Sequence, residues 1–274
     1  MKQTSLVVAT LCTIAVCFSA CKEKKFKDYE QTETGLYYKF KEQNSEGKQP
    51  QIGDFLFLTV SYHSDNDSIP AFEAREIMDL MNESIYAGDL YEAYSMLKEG
   101  EEAEFVLKAD SFFHHFMKQI PPFVTSDNVL YFTVRMDKVK TMTDFEEEED
   151  IAINNYITEN NVTVDPTESG LYYIETEKGK GRKIATGDSV SVHYTGKFLD
   201  GTVFETSIGS EPLTFVLGVQ PMIEGFVEGI LRMNQGGKAT LILPFEIAYG
   251  MSHPMSSIPP FTPLVFELEV VKVN

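Results

Sequence analysis

The stretch TESGLYY at residues 167–173 repeats the stretch TETGLYY at residues 32–38, with one Ser exchanged for Thr. The similarity continues in the same order through both halves of the chain. Residues 88–113 align without gaps to residues 224–249, and the tetrapeptide IPPF occurs near the end of each half. The two heptapeptides start 135 residues apart, which is too long for a solenoid repeat. The sequence therefore predicts two copies of one domain.

The first twenty residues have the layout of a secretory signal. Lys2 gives a basic start, residues 6–18 are mostly apolar, and Ser19 and Ala20 precede Cys21. The apolar run is too short to span a bilayer as a mature helix. A Cys directly after a pair of small residues resembles the lipobox of bacterial lipoproteins, in which the signal is cut before a Cys that carries the lipid. The alternative is an ordinary signal peptide with an incidental Cys.

Cysteine usage favours the lipoprotein. The three cysteines are Cys12, Cys17 and Cys21, so a chain cut before Cys21 keeps one Cys and forms no internal disulfide. Lipidation gives that remaining Cys a role. We therefore expect residues 1–20 to be removed, residues 21–31 to form a polar tether, and the protein to be anchored in a bacterial cell envelope through Cys21, on the periplasmic side.

The charge balance of the chain is acidic. It has 23 Lys and Arg against 42 Asp and Glu, a net charge of −19. Such a surface repels phosphate backbones and so argues against nucleic-acid binding. The sequence has no Gly-rich phosphate loop and no His, Cys and carboxylate cluster with metal-ligand spacing, so neither a cofactor nor a metal is expected.

Hydrophobic periodicity in the second half predicts strands and one short helix. Apolar and polar residues alternate in residues 189–194, 238–243 and 266–270, as in strands with one buried face. Between the first two, Pro221 is placed to open a helix whose apolar face carries Ile223, Phe226 and Ile230. The pattern predicts an α+β fold in which a short helix covers one face of an antiparallel sheet.

An acidic segment separates the two copies. Residues 146–150 read EEEED, which favours a helix start, and apolar residues follow at partly helical spacing. We expect residues 143–166 to form an acidic helical linker. The domains would then be residues 32–142 and residues 167–274.

The motifs of the second copy resemble those of FKBP-type peptidyl-prolyl cis–trans isomerases. They are HYTG followed by DG, then MIEGF, AYG, HP and IPP, between residues 193 and 260, and the resemblance covers residues 167–273. It implies a curled antiparallel sheet wrapped around a short helix. It also implies isomerisation of X–Pro bonds without a cofactor, and proline-containing polypeptides as partners.

The resemblance also implies a set of site residues. Tyr249 matches the hydroxyl donor, Ile223 the backbone N–H at the start of the helix, and Phe226 the pocket floor, where most members have Trp. Glu205 stands where the family usually has Asp. The expected catalytic residues are Tyr194, Phe204, Glu205, Ile223 and Tyr249, and the expected substrate-binding residues are Phe215, Met222, Phe226, His253, Ile258 and Phe266.

The first copy keeps the frame of the second but not its site. Tyr62, Phe72, Ile120 and Phe132 match aromatic or apolar site residues, whereas Phe113 stands in place of Tyr249. Five glycines of the second copy are also replaced. We expect an inactive FKBP-like domain that binds polypeptide, contacts its neighbour or acts as a spacer.

Two functions remain open. The first is a membrane-anchored prolyl isomerase that helps exported proteins to fold, which the retained pocket favours. The second is a non-catalytic chaperone or interaction module, which Glu205 and the altered first copy favour.

Overall fold

The computed structural model of the protein describes residues 26–251 and 258–274. The chain divides into two compact units, with the boundary between Val139 and Lys140. The expected signal at residues 1–20, the expected lipidation site Cys21 and the site residue His253 lie outside the described residues. Within the described ranges, no helix is long and apolar enough to cross a membrane.

The first unit is a six-stranded sheet with two short helices. Its sheet order is β1-β2-β5-β6-β3-β4. Its elements are β1 (Glu30–Gln31), β2 (Tyr37–Glu42), β3 (Phe55–Ser64), β4 (Phe72–Leu80), α1 (Leu90–Met96), β5 (Glu102–Lys108), α2 (Ala109–His115) and β6 (Val129–Lys140). Helix α1 buries Leu90, Ala93 and Tyr94 in the core.

The second unit has the same kind of sheet. Its order is β10-β8-β12-β11-β7, and β9 pairs with the far end of β8. Its elements are α3 (Met142–Glu159), β7 (Tyr172–Glu177), β8 (Ser189–Phe198), β9 (Val203–Thr206), β10 (Leu213–Val216), α4 (Glu224–Arg232), β11 (Lys238–Leu243), a 3-10 helix (Phe245–Ile247) and β12 (Leu264–Val273). All of its strand pairs are antiparallel. The α+β prediction is confirmed.

The repeated heptapeptide forms the same local structure in both units. Leu36 and Leu171 are buried, and the Tyr pair after each begins β2 or β7. The turn before each Leu is tied to a helix, because the Thr32 hydroxyl donates to Glu92 of α1 and the Ser169 hydroxyl donates to Glu228 of α4. The phrase is therefore part of the scaffold and lies away from the pocket described below.

Two local expectations are corrected. Helix α4 begins at Glu224 instead of Pro221, and Ile223 is its N-cap with an extended backbone. Ile242 was expected on the polar side of β11 but is fully buried. The reason is α3, whose Ile153 packs with Ile242 and Val265 in a second apolar cluster. The sheet is thus covered on both faces, by α4 on one and in part by α3 on the other.

Helix α3 starts with a capping box between Thr141 and Asp144. Phe145, Glu149 and Ile153 are its buried residues, and they recur at four-residue steps on one face. The predicted acidic linker thus contains a helix, and that helix is part of the second unit and packs against its sheet. Its remaining carboxylates, such as Glu146 and Glu147, are exposed.

Candidate active site in the second unit

A pocket of about 580 Å³ lies where the start of α4 meets the end of the 3-10 helix. It brings together six of the eleven site residues expected from the sequence: Tyr194, Glu205, Met222, Ile223, Phe226 and Tyr249. Strand β8 supplies Tyr194 and β9 supplies Glu205. Met222, Ile223 and Phe226 come from α4 and the segment before it, and Tyr249 follows the 3-10 helix. A fold that joins four separate parts of the chain at one cavity provides a binding site.

Phe226 is the floor of the pocket. Its ring is almost fully buried and meets the Tyr194 ring edge-on, with 6.1 Å between their centroids. Behind it lie Phe266 and Phe215, at centroid distances of 5.4 and 6.3 Å. The edge-to-face contacts fix the orientation of the floor.

Four expected site residues lie in the core behind the pocket. Phe215, Ile258 and Phe266 are buried, and Phe204 is half-buried with its ring 5.8 Å from that of Phe266. They support the floor and wall without lining the pocket. His253 belongs to the loop that is not described.

Two tyrosine hydroxyls and one carboxylate form the polar side of the pocket. Tyr194 and Glu205 line the pocket together. Burial raises the pKa of Tyr194 above its ordinary value, and the interaction with the nearby Glu205 carboxylate raises it further. Burial, and then the charge of Glu205, also raise the pKa of Tyr249. Both hydroxyls therefore stay protonated at neutral pH and can donate hydrogen bonds.

The backbone N–H of Ile223 stands at the entrance of α4. Because Ile223 is the N-cap, its N–H precedes the first helical turn and has no partner within the helix. Ile223 and Met222 both line the pocket. The pocket thus combines a backbone donor, the Tyr249 hydroxyl and the apolar floor of Phe226.

Two glycines allow the close packing behind the pocket. A Cβ at residue 196 would lie 2.5 Å from the ring of Phe204, and a Cβ at residue 229 would lie 2.3 Å from the side chain of Leu241. Gly196 lets Phe204 pack flat across β8, and Gly229 lets α4 approach β11. The first unit has Ser64 and Ala93 at these positions.

The pocket also has an acidic rim, to which two carboxylates outside the expected site residues contribute. Glu224 and Glu246 line the pocket together with Glu205, and all three are exposed. Leu213, Pro221, Ala248 and Gly250 also line the pocket. The position of Glu224 at the pocket could have been predicted, because it directly follows Ile223 in the sequence. The position of Glu246 could not, because it depends on the orientation of the 3-10 helix.

In the first unit an aromatic ring fills the corresponding position. Phe112 aligns with Ala248, and its ring lies 5.9 Å from that of Tyr62 and 5.1 Å from that of Phe132. Tyr62 also stacks on Phe72 at 5.5 Å. These are the counterparts of Tyr194, Phe266 and Phe204. Helix α2 carries Phe112 inward, so a buried ring packs on Tyr62 and Phe132 where the second unit has the small side chain of Ala248 beside its pocket.

Comparison with known proteins identifies the family of the chain. Residues 180–271 match the family described as FKBP-type peptidyl-prolyl cis-trans isomerase. The chain is 40% identical over 105 residues to an FK506-binding protein of Neisseria meningitidis serogroup B, covering 38% of this chain and 96% of that protein. The chain therefore belongs to the FKBP-type peptidyl-prolyl cis–trans isomerase family.

Other relatives are longer than the matching region. The FKBP-type 22 kDa peptidyl-prolyl cis-trans isomerase of Escherichia coli K12 is 44% identical over 111 residues, which is 40% of this chain and 53% of that protein. The chain thus spans about half the length of that relative. The crystal structure of FkpA from Escherichia coli aligns with a TM-score of 0.41 and 32% identity, covering 48% of this chain and 63% of that one.

Proposed function

We propose that the second unit catalyses cis–trans isomerisation of X–Pro bonds in polypeptides. The observation that carries the proposal is the pocket itself, in which the Tyr249 hydroxyl and the Ile223 N–H flank the apolar floor of Phe226. Residues 167–274 would form the isomerase domain. Proline-containing polypeptides would be the substrates, and the reaction needs neither a nucleophile nor a cofactor.

The mechanism follows from the electronic structure of the amide. The barrier of ~18–20 kcal/mol comes from amide resonance, which separates charge. An apolar floor disfavours the charge-separated planar form and so favours the twisted transition state. Donors such as the Tyr249 hydroxyl and the Ile223 N–H hold the twisted geometry. Reducing a time of ~100 s to ~1 ms requires about 7 kcal/mol of transition-state stabilisation.

The remaining expected residues have supporting roles in this proposal. Tyr194, Met222 and Glu205 form the walls of the pocket. Phe204, Phe215, Ile258 and Phe266 hold the floor in place, and His253 would contribute from the loop. A wall built from fixed rings costs little reorganisation when the peptide twists.

An isomerisation assay on the full chain tests the proposal. The interconversion of an X–Pro peptide is followed by NMR exchange, or by a protease-coupled assay, with and without the protein. We expect acceleration that Tyr249→Phe and Phe226→Ala reduce. A purified, folded protein that leaves the rate at its uncatalysed value would refute the proposal.

A second function is favoured by the first unit. Phe72, Met117, Ile120 and Phe123 are exposed there while Phe112 fills the interior. Exposed apolar residues of this size fit a surface that holds unfolded polypeptide. The first unit, residues 32–142, would then be a non-catalytic binding domain. If so, the protein should still suppress the aggregation of client proteins when it carries Tyr249→Phe or Phe204→Ala. A complete loss of suppression in those variants would refute this second function.

The location of the protein is a further part of the proposal. The order of basic start, apolar run, small pair and Cys21 supports a lipid anchor that holds the protein at the periplasmic face of a bacterial envelope membrane. Fractionation of cells that express the wild type and Cys21→Ser tests it. We expect the wild type in the membrane fraction and the variant outside it. Equal release of both proteins would refute the anchor.

A further inference from the structure

Helix α3 supports the pocket wall from behind. It lies before residues 180–271, the part that matches the family, so its contacts are features of this chain. The wall segment runs from Pro244 to Gly250 and contributes Glu246, Ala248, Tyr249 and Gly250 to the pocket. Two contacts from α3 hold this segment, one directly and one through Phe261.

The direct contact is a buried hydrogen bond. The backbone N–H of Phe245, the first residue of the 3-10 helix, donates to Oε1 of Glu149 at 2.6 Å. The residue at the N-cap of this helix is Pro244, whose side chain provides no acceptor. Glu149 therefore supplies from another element the cap that the 3-10 helix does not supply itself. The Glu149 side chain is almost fully buried.

The indirect contact is aromatic. Phe145 of α3 stacks on Phe261 with 3.9 Å between ring centroids, and Phe261 meets the ring of Phe245 edge-on at 5.3 Å. The Phe261 N–H also donates to the Gly250 carbonyl at 3.0 Å. The wall segment is thus held near its start, at Phe245, by Glu149 and at its last residue, Gly250, by Phe261.

We propose that Glu149 is a positioning residue for the isomerase site, which fixes the wall segment and thereby the Tyr249 hydroxyl over Phe226. This proposal rests on the function proposed above for the same pocket. Tyr249 follows Phe245 by four residues, so an error in the orientation of the 3-10 helix displaces the hydroxyl directly. Loss of the cap therefore reduces turnover more than it reduces peptide binding.

The protonation of Glu149 links this contact to pH. The pKa of Glu149 is raised to about 7, first by burial and then by the negative charges of Glu246 on the 3-10 helix and of Asp150 and Glu146 on α3, against the bond from Phe245. The raised pKa means that the Glu149 carboxyl binds its proton more tightly when α3 is docked on the wall segment than when the contact is released. The docked contact therefore weakens as pH rises from about 4.5 to about 7 and changes little above that range.

Three variants of the full chain test the proposal: Glu149→Ala, Glu149→Gln and, as a control on the exposed face of the same helix, Glu147→Gln. We expect Glu149→Ala to lower kcat about five- to tenfold with a change in KM of less than about twofold. Glu149→Gln keeps an acceptor oxygen and is expected to stay within about twofold of the wild type. Because the Gln side chain does not titrate, Glu149→Gln should also remove the loss of protection against amide hydrogen exchange that the wall segment shows between pH 5.5 and 8. Glu147→Gln keeps the wild-type behaviour.

Amide hydrogen exchange at Phe245, Ala248 and Tyr249 provides a readout that does not need activity. We expect faster exchange in Glu149→Ala and, in the wild type, faster opening at pH 8 than at pH 5.5 after correction for intrinsic rates. If the wild type is inactive but exchange responds as expected, the proposed function fails and the wall contact stands. Wild-type kcat and exchange in Glu149→Ala would overturn the proposal. If Glu149→Ala does not fold, the pH response of Glu149→Gln against the wild type decides it.

Discussion

Tyr194 of β8 and Glu205 of β9 line one wall of the pocket, and the Glu205 carboxylate acts on the Tyr194 hydroxyl and raises its pKa beyond the effect of burial. Glu205 is itself exposed at the pocket. The same charge acts on Tyr249 and raises its pKa. Burial, and then this carboxylate, thus raise the pKa values of both hydroxyls of the site.

This relationship predicts the pH dependence of the site. Because the pKa of Tyr194 and that of Tyr249 both lie above the ordinary 10.0, kcat/KM should stay level up to about pH 10. In Glu205→Gln the negative charge is gone, so both phenol pKa values fall and the alkaline limb moves to lower pH. The measurement is the pH profile of kcat/KM, with circular dichroism at each pH to verify folding. An unmoved limb in Glu205→Gln would show that the carboxylate does not control the hydroxyls.

Removing the Tyr249 hydroxyl alone should reduce catalysis while leaving the pocket intact. Tyr249→Phe keeps the ring but loses the donor, which is expected to cost about 0.5–1.5 kcal/mol, or roughly two- to twelvefold in kcat/KM. Tyr173→Phe is the matched control, because Tyr173 packs on the same core from β7 but does not line the pocket. Equal activity of the two variants would remove Tyr249 from the proposed mechanism.

The acidic rim predicts a charge preference in the substrate. Glu224 and Glu246 are exposed at the pocket, so peptides with Lys or Arg next to Pro should react faster than peptides with Glu there. An exposed pair is worth about 0.2–1 kcal/mol, so we expect an advantage of roughly 1.4- to fivefold that decreases at high salt. Glu224→Gln should reduce the ratio, whereas Glu175→Gln, exposed on β7, should leave it unchanged. Equal rates for both peptides at low salt would contradict the prediction.

Local patterns were sufficient for much of the second unit. The alternation in residues 238–243 predicted β11 with its observed bounds, because strand periodicity is a property of the segment itself. The pocket residues Tyr194, Ile223 and Tyr249 were placed by motif similarity, and they meet as expected. Phe204 and Phe266 were grouped with them, but they support the floor from the core.

Other features depend on packing that no local pattern contains. Ile242 carries the strand alternation of a polar face, and only the docking of α3 makes that position buried. The buried face of α3 could not be predicted from its sequence pattern, because one of its three buried residues is the charged Glu149. In the first unit, Phe112 aligns with a small alanine, and the sequence did not reveal that its ring turns inward.

The filled interior of the first unit predicts a large effect for Phe112. Phe112→Ala removes a buried ring that contacts Tyr62 and Phe132, so we expect a loss of about 3–5 kcal/mol in the stability of that unit. Met117→Ala, at a residue that is 60% exposed, should change it by less than about 0.5 kcal/mol. Hydrogen exchange of the β5 and β6 amides reports the unit by itself. Unchanged exchange in Phe112→Ala would contradict the packing described here.

The packing of α3 against the sheet of the second unit can be tested with two isoleucines of this helix. Ile153 is 5% exposed and packs with Ile242 and Val265, whereas Ile151 is 62% exposed. Ile153→Ala should destabilise the second unit by about 2–5 kcal/mol through lost burial and an unfilled cavity, and Ile151→Ala should cost less than about 0.5 kcal/mol beyond any change in helix propensity. Denaturant unfolding, with hydrogen exchange at the amides of β11 and β12, measures both. If the two variants are equally stable, α3 does not dock on the sheet in solution, and the cap that Glu149 gives to the pocket wall is lost with it.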